Sequence, residues 1–374
     1  MSNWLPFTRP TIDEETIAQV VSVLRSGWVT SGPKVLELEM LLSGYLRGRT
    51  VRAVSHATAA MEIALEACGI GAGHEVILPA LTFVATANVI VRRGAHPVFV
   101  DVDLDTRNLD LDQVEASIGP RTRAIMPVHF AGLPVDMHRL NSIARRHDLR
   151  VIEDAAHAIG SSWEGRPIGS FGDITCFSFH ANKNITTIEG GAICGGSPEE
   201  IERFERLRFH GLRKNAPDEF EVDVAASKAN LTDVNAAIGV AQLARLTEFN
   251  AARRNLVERY FAHWEQRAPV RLPARGPAGH SWHLFAPLLP LSEGVSRPTF
   301  IKAMEAKAIA VGVHYPAVHL FKAYRALGYR DGQFPNAERI GRETVTLPLF
   351  PAMSAADVDR VVEATALSIT EARR

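Results

Sequence analysis

The stretch EVILPALTFVATANVIVRRGAHPVFVDV, residues 75–102, decides the fold class of this 374-residue chain. Residues 75–79 and 97–102 are short apolar runs typical of buried β-strands. Residues 83–92, between them, carry apolar side chains at the spacing of three and four that indicates a helix. A strand, a helix and a second strand in this order predict a right-handed crossover between parallel strands, and therefore an α/β fold.

The same alternation continues on both sides of this stretch, from about residue 50 to residue 195. It predicts a mostly parallel, seven-stranded sheet with helices on both faces. The predicted strands cover residues 51–55, 75–79, 97–102, 124–130, 149–153, 175–179 and 192–194. The predicted helices cover residues 58–68, 83–92, 111–117 and 137–147.

The pattern changes towards the C-terminus. Residues 198–213 predict a charged helix, residues 213–229 a long loop, and residues 233–249 a further helix. Beyond them, proline-rich short strands and helices over 272–290, 297–310, 312–315 and 355–372 predict a smaller α+β domain. We therefore expect a large domain of residues 1–250 and a small domain of residues 251–374.

Composition excludes several classes of protein. Hydrophobic residues make up 46% and charged residues 22%, and 41 basic against 42 acidic residues leave a net charge of −1. A protein dedicated to nucleic acid or to a membrane surface is not expected from this balance. Residues 1–10 lack the pattern of a signal peptide, and the three cysteines form no C-x-x-C pair. We expect a cytoplasmic protein with reduced thiols and no bound metal.

The first chemical motif is Ser55-His56-Ala57-Thr58-Ala59-Ala60, which follows the first predicted strand. Small and hydroxylated residues at the start of a helix leave backbone N–H groups available to a phosphate. The motif is equally compatible with an ordinary helix N-cap that binds no ligand.

The second motif, Val151-Ile152-Glu153-Asp154-Ala155-Ala156-His157, ends an apolar strand with two acids. Ligands of open α/β sheets bind at the carboxyl ends of the strands. Adjacent strand residues face opposite sides of the sheet, so only one of Glu153 and Asp154 can face a given ligand atom. A hydrolase with paired carboxylates is therefore disfavoured.

The third motif places a lone lysine, Lys183, shortly after another predicted strand and before Glu189-Gly190-Gly191. Burial shifts an ammonium towards its neutral, nucleophilic amine form. A phosphate site, an acid and an amine at one edge of one sheet are the groups that pyridoxal 5′-phosphate (PLP) requires. The lysine forms a Schiff base with this cofactor, and the acid keeps its ring nitrogen protonated.

Three runs of sequence carry a family resemblance: residues 177–186 (FSFHANKNIT), 152–158 (IEDAAHA) and 230–237 (NLTDVNAA). With residues 26–33, 313–316 and 347–351, they resemble the nucleotide-sugar aminotransferases of the DegT/DnrJ/EryC1/StrS family over nearly the whole chain. The resemblance is closest to the branch that acts on UDP-linked 4-keto sugars, including the 4-amino-4-deoxy-arabinose type. It implies the PLP-dependent transferase fold of type I, as in aspartate aminotransferase.

The resemblance also implies a role for individual residues. Lys183 would be the Schiff-base lysine and proton shuttle, and Asp154 would pair with the cofactor's ring nitrogen. The other implied cofactor contacts are Thr58, Ala59 and Ser178 at the phosphate, Phe83 on the ring, His157 on the hydroxyl side, and Asn230 from the neighbouring subunit. Asn230 makes the implied enzyme a homodimer with shared active sites. The implied substrate-side residues are Trp28, Val29, Thr30, His180, His314, Tyr315 and His319.

The leading hypothesis is an aminotransferase that moves nitrogen from an amino acid, L-glutamate, to a nucleotide-linked keto sugar and releases 2-oxoglutarate. One alternative is an aminotransferase for a cyclitol or an antibiotic amino-sugar precursor. Another is a PLP-binding regulatory protein without turnover. A related sugar dehydratase is disfavoured, because such relatives have histidine in place of Lys183.

Overall fold

The computed structural model describes residues 4–216, 218–265, 268–276 and 279–373. Residues 1–3 of the N-terminal segment, residue 217 of the predicted loop and residues 277–278 of the predicted 272–290 region lie outside the described part. The described strands are β1 Val51–Val54, β2 Glu75–Pro79, β3 His96–Val100, β4 Thr122–Ile125, β5 Arg150–Asp154, β6 Ser162–Trp163, β7 Arg166–Pro167, β8 Ile174–Ser178, β9 Gly191–Gly195, β10 Leu212–Ala216 and β11 Glu219–Val222.

The described α-helices alternate with these strands and then dominate the C-terminal third. They are α1 Glu14–Ser26, α2 Pro33–Tyr45, α3 Ala57–Ala67, α4 Val84–Arg92, α5 Leu111–Ala116, α6 Met137–Arg146, α7 Pro198–Leu207, α8 Asp233–Ala244, α9 Leu246–Trp264, α10 Arg297–Ala306, α11 Lys322–Arg325, α12 Pro335–Glu343 and α13 Ala355–Ala372. Short 3₁₀ segments occur at Phe130–Gly132, Leu291–Glu293 and Val318–Leu320. None of the helices in the described ranges is long and apolar enough to cross a membrane.

The central sheet has seven strands in the order β1-β9-β8-β5-β4-β2-β3, which confirms the predicted α/β class and strand number. The pairs from β8 to β3 are parallel. Strand β9 is antiparallel to both of its neighbours, so the sheet is mostly parallel. Because β1, β5 and β8 run in the same direction, their carboxyl ends lie at the same edge.

Buried side chains form a core on each face of the sheet and a third core in the C-terminal part. Helices α3 and α4 supply much of the first core, and helices α2 and α6 supply part of the second. In the third, the rings of Tyr260 and Phe285 stack with their centroids 4.6 Å apart. Helix α9, Leu246–Trp264, is continuous across the predicted boundary at residue 250. The division into two domains stays a prediction.

Three predictions for the segment after the sheet are wrong. The predicted helix over 198–213 ends at Leu207, because His210 and Gly211 both have positive φ angles, of 59° and 72°, which a right-handed helix cannot contain. The following residues form the hairpin β10–β11 inside the predicted loop. The helix predicted over 233–249 is two helices that meet at Arg245, whose N–H bonds Gln242 instead of continuing the α-helical pattern.

The short strands predicted over 272–290 and 312–315 also differ from the structure. Among the described residues of this region, β structure consists of isolated bridges, such as Phe285 with Leu347 and Gly312 with Thr346. Helices α10 and α13 lie where they were expected. Local propensity could not distinguish an isolated bridge from a strand, because the partner lies far away in the sequence.

Candidate active site

The carboxyl ends of β1 and β8 lie beside the start of β9. Gly191 of β9 is opposite Val54 on one side and Ser178 on the other. A Cβ atom at Gly191 would lie 2.7 Å from the backbone nitrogen of Ala57, so only glycine allows the strand to approach the start of α3 this closely. This contact places Ser178 near the N-terminus of a helix.

The N-terminus of α3 is capped by His56, whose Nδ1 accepts a hydrogen bond from the Ala59 N–H at 2.9 Å. This cap uses the N–H of Ala59, one of the three residues expected to contact phosphate. The first two N–H groups of the helix, those of Ala57 and Thr58, have no acceptor within the helix. Both residues line a cavity. His56 was missed because a histidine cap is outside the usual set of Ser, Thr, Asp and Asn.

Asp154 ends β5 and is buried at the edge of the same cavity. Its carboxylate accepts hydrogen bonds from the Ala156 N–H at 3.1 Å and from the Thr86 hydroxyl at 2.7 Å. Glu153 points away from this cavity and lies 2.9 Å from His129 Nε2. The strand alternation predicted this separation of the two acids.

Thr86 and Thr82 were not predicted as site residues. Their hydroxyl oxygens are 2.7 Å apart, both side chains are buried, and Thr86 donates to Asp154. The signal available in the sequence was a pair of threonines four residues apart, one just before α4 and one in its first turn. Their partner, Asp154, is 68 residues away from Thr86, so the pairing itself has no local signature.

Lys183 lies in the loop after β8 and lines the same cavity as Asp154, Thr58 and Ser178. Within the described part of the chain its amine makes no hydrogen bond and no ion pair. Burial lowers the pKa of Lys183 from 10.5 to about 8, and the Asp154 carboxylate opposes this shift. About a tenth of the amine is therefore neutral at pH 7, far more than for an exposed lysine.

The opposite wall of the cavity is aromatic. Phe83 is 55% exposed, and its ring centroid lies 5.7 Å from that of Tyr315. The Tyr315 hydroxyl is 3.1 Å from His157 Nε2. A planar ring that enters the cavity would meet these side chains, while the polar groups of Asp154 and Lys183 remain accessible.

Hydrogen bonding assigns the tautomer of His157. Its Nδ1 accepts from the Ala131 N–H at 3.3 Å, so the ring proton is on Nε2 and is donated to the Tyr315 oxygen. Burial, reinforced by Lys183 and His314, holds the pKa of His157 well below its usual range. Burial also raises the pKa of the Tyr315 hydroxyl, which therefore keeps its proton.

His314 and His180 also line the cavity, as expected of substrate-side residues. His314 Nδ1 lies 2.7 Å from the Thr346 hydroxyl, and burial lowers the pKa of His314 to about 4, so it is neutral. His180 is half exposed and lies 2.8 Å from Asn182 Oδ1. Asn182 and Glu189, two further polar residues of this wall, were missed by the sequence analysis.

Six of the expected residues do not line this cavity in the described chain. One is Ala59, whose N–H is bonded to His56. His319 is fully buried, contacts Glu338 at 3.1 Å, and packs against Phe334. The other four come together elsewhere: the amide of Asn230 donates to Ser31 Oγ at 2.6 Å, next to the exposed segment of Trp28, Val29 and Thr30.

The cavity has a volume of about 260 Å³. Two grooves of about 510 and 560 Å³ lie elsewhere on the protein, but neither is lined by a lysine. Of these three sites, only the cavity of Lys183 combines an unpaired amine, a carboxylate and a helix N-terminus among the described residues. These groups fit the aldehyde, ring nitrogen and phosphate of PLP, respectively.

The fold and this cavity define a PLP-dependent aminotransferase, and comparison with known proteins agrees. The chain belongs to the DegT/DnrJ/EryC1/StrS aminotransferase family, whose family model matches residues 10–366. Its cofactor is PLP, and similar proteins have been solved in their PLP and PMP forms.

Three solved structures illustrate the similarity. The PLP form of Spr1654 from Streptococcus pneumoniae, described as a sugar aminotransferase, is 34% identical, with a TM-score of 0.93 over 99% of this chain and 100% of that one. DesV from S. venezuelae, solved with a ketimine intermediate, is 32% identical, with a TM-score of 0.89 over 96% and 98%. PseC from Helicobacter pylori, an aminotransferase of pseudoaminic acid biosynthesis, is 25% identical, with a TM-score of 0.93 over 98% and 100%.

Proposed function

We propose that this enzyme transfers an amino group from L-glutamate to the keto group of a nucleotide-linked sugar. The specific acceptor that we propose is a UDP-linked 4-keto sugar. The observation that carries the proposal is the convergence of Lys183, Asp154 and the N-terminus of α3 on one cavity. Sugar aminotransferases among the similar structures support a sugar as the acceptor.

Lys183 is proposed to form the covalent link to the cofactor and to carry protons during turnover. Its pKa of about 8 makes the neutral amine available near neutral pH, and the cavity gives that amine no competing partner among the described residues. When bound, PLP supplies the electron sink that stabilises negative charge on the reacting carbon. Once the substrate amine has displaced it from that link, Lys183 would take a proton from the substrate carbon and deliver it to the cofactor carbon to which the lysine had been attached.

Asp154 is proposed to hold a proton on the ring nitrogen of the cofactor. Its carboxylate is oriented by two donors, Thr86 and the Ala156 N–H, and is buried away from competing water. A charge-assisted hydrogen bond to such a carboxylate is worth about 1.5–3 kcal/mol. The threonine pair therefore acts on the chemistry through the orientation of Asp154.

The phosphate is proposed to bind the N–H groups at the start of α3, with help from the Thr58 and Ser178 hydroxyls. The positive end of the helix dipole adds an attraction of about 0.3–1 kcal/mol for an anion. Phe83 is proposed to stack on the cofactor ring and His157 to stand on its hydroxyl side. Because His157 is neutral, it adds no positive charge beside the cofactor hydroxyl and acts only through hydrogen bonds of fixed orientation.

The sugar is proposed to enter beside His180, His314 and Tyr315. His314 and Tyr315 present neutral hydrogen-bonding groups, which suit the hydroxyl groups of a sugar better than a cationic wall would. His319, which is buried against Phe334, is not part of this wall.

A homodimer with shared sites is proposed to complete the cavity. Asn230 does not reach the cavity of its own chain and lies among exposed residues, beside Trp28. Leu36 and Met40 of α2 are 64% and 66% exposed, and Leu24 of α1 is also exposed, an apolar surface that a second copy of the chain would cover. In this arrangement Asn230, and the segment from Trp28 to Thr30, would reach the partner's site.

The proposal is tested by half-reactions of the purified PLP form. L-Glutamate should convert the cofactor spectrum to that of the amine form, and a panel of nucleotide-linked keto sugars should convert it back. A UDP-linked 4-keto sugar is expected to be the fastest acceptor, with a cyclitol ketone as the comparison. Binding of every sugar without any spectral conversion would instead indicate a regulatory protein without turnover.

A further inference from the structure

Asn184 follows Lys183 directly in the loop between β8 and β9, and only 4% of the residue is exposed. Its side-chain amide makes three contacts with residues far away in the sequence. The Nδ2 atom donates to Asn250 Oδ1 at 2.8 Å and to the Ser281 carbonyl at 2.9 Å. The Oδ1 atom lies 3.1 Å from His283 Nδ1. Both amide hydrogens and the amide oxygen therefore have partners.

These contacts assign the orientation of the amide and the tautomer of His283. A carbonyl can only accept, so the bond to Ser281 fixes Nδ2 of Asn184 on that side and turns Oδ1 towards the imidazole. Oδ1 then accepts the proton of His283 Nδ1. Burial holds the pKa of His283 well below its usual range, so the ring is neutral and carries this one proton.

Asn184 connects the part of the loop that carries Lys183 to the rest of the protein. Residues 179–190 are called the lysine loop here. In the described chain, the other hydrogen bonds of residues 180–184 stay within the lysine loop or reach Ser178 at its start. The side chain of lysine is a flexible four-carbon stem, so the place of its amine depends on where the backbone is held.

Residues 281–283, which receive two of these bonds, also support His157. The His283 N–H donates to the Ala131 carbonyl at 2.8 Å, and the Ala131 N–H donates to His157 Nδ1 at 3.3 Å. The ring centroids of His283 and His157 lie 4.4 Å apart. The lysine loop and the side chain of His157 are thus fixed to the same segment.

We propose that Asn184 is a positioning residue for Lys183: by fastening the lysine loop to residues 281–283, it holds the amine where it reacts with the cofactor. This role rests on the proposed function, in which the neutral amine forms a C=N bond with the aldehyde of PLP and releases one water molecule. Asn184 does not line the cavity, so it acts through the place of the loop. A displacement of about 1 Å can slow a reaction about a hundredfold.

The test compares covalent capture of PLP with binding of pyridoxamine 5′-phosphate (PMP) by the full-length, cofactor-free protein. PMP has an amine in place of the aldehyde, so it binds through its phosphate and ring without a bond to lysine. Stopped-flow absorbance at saturating PLP measures the rate constant of the covalent step, and titration calorimetry measures the Kd of PMP. Asn184→Ala is expected to slow capture at least about tenfold and to change the Kd of PMP less than about threefold.

Asn108→Ala is the matched control. Asn108 is also buried and its amide also makes three hydrogen bonds, to the backbone of Phe130, Leu133 and Pro134, but it lies outside the lysine loop. This variant should have a lower melting temperature and an unchanged rate of capture. An unchanged rate in Asn184→Ala would overturn the proposal. So would an equal loss of capture and of PMP affinity, or equal slowing in Asn108→Ala, because each would indicate general loosening of the structure.

Lys183→Ala distinguishes a failure of this role from a failure of the proposed function. It should capture no PLP covalently, and capture by this variant would refute both the proposed lysine and its positioning by Asn184. Should Asn184→Ala not fold, Asn250→Ala decides in its place, since it removes one of the three bonds from a partly buried residue. It should slow capture about threefold, and an unchanged rate would then overturn the proposal.

Discussion

The hydroxyl group of Thr86 donates to the carboxylate of Asp154 across 2.7 Å, although 68 residues separate the two in the chain. Thr82 extends this contact, since its hydroxyl oxygen lies 2.7 Å from that of Thr86. Helix α4 and strand β5 are thereby connected at the carboxyl edge of the sheet. The contact gives the proposed ring-nitrogen partner a fixed orientation before any ligand enters.

Replacement of Thr86 by valine should slow the glutamate half-reaction. Valine keeps the shape but removes the donor to Asp154, and a hydrogen bond to a charged group contributes about 1.5–3 kcal/mol, which corresponds to about tenfold or more in rate. Stopped-flow absorbance of the cofactor measures the effect. Thr82→Val is the matched control and should have a smaller effect, because Thr82 reaches Asp154 only through Thr86. Equal rates in wild type and Thr86→Val would contradict the proposed orientation.

Asp154→Asn should retain the fold and the bound cofactor but lose most of its transamination rate. A neutral amide cannot keep the ring nitrogen protonated, so the cofactor accepts electrons less well. The transamination rate should therefore fall by several orders of magnitude. Glu153→Gln is the contrasting variant, because Glu153 faces His129 on the other side of β5. It should lower the free energy of unfolding and leave the cofactor chemistry intact. Near-native turnover of Asp154→Asn with glutamate would refute the assignment.

Lys183 should be the residue that carries the cofactor. Borohydride reduction of the holoenzyme followed by peptide mapping is expected to find the pyridoxyl group on Lys183. Lys183→Ala should lose the absorbance of lysine-bound PLP, while it still binds the cofactor through the phosphate. A pyridoxyl group on any other lysine would show that the assignment is wrong.

The lowered pKa of Lys183 also predicts a pH dependence of stability in the cofactor-free protein. The folded-state pKa is about 8 and the ordinary value is 10.5, so the unfolded state binds more protons between these two values. The free energy of unfolding of the wild type should therefore rise, relative to Lys183→Met, as pH increases from about 8 to about 10.5. Denaturant unfolding across this range measures the difference. A constant difference between the two proteins would contradict the shift.

Shared active sites predict complementation between two inactive chains. Lys183→Ala lacks the catalytic amine, and Asn230→Trp should disrupt the proposed contact with the partner's phosphate site. In a random mixture, half of the dimers are mixed and each has one intact site, so about a quarter of wild-type activity should return. If Asn230 only supports its own chain, beside Ser31, mixed dimers would recover no activity.

The sequence by itself determined the sheet and the chemical residues closest to the strand ends. The number of strands, and helices such as 83–92, followed from periodicity, because burial on both faces of a parallel sheet imposes continuous apolar runs. The strand predicted over 124–130 was misplaced, since the strand covers Thr122–Ile125 and Phe130 begins a 3₁₀ turn. Asp154 and Lys183 could be predicted as facing one cavity, because the carboxyl ends of parallel strands share an edge. The separation of Glu153 from Asp154 followed from the alternation of side chains along a strand.

Only the tertiary structure decided which distant residues meet. Three features of the site depend on contacts between segments far apart in sequence: the pairing of Thr86 with Asp154, the tautomer of His157, and the position of His319 outside the cavity wall. The break between α8 and α9 at Arg245 and the hairpin after α7 also escaped the local pattern. Periodicity reports which face of an element is buried, whereas hydrogen-bond partners, pKa shifts and cavity walls depend on how several elements pack together.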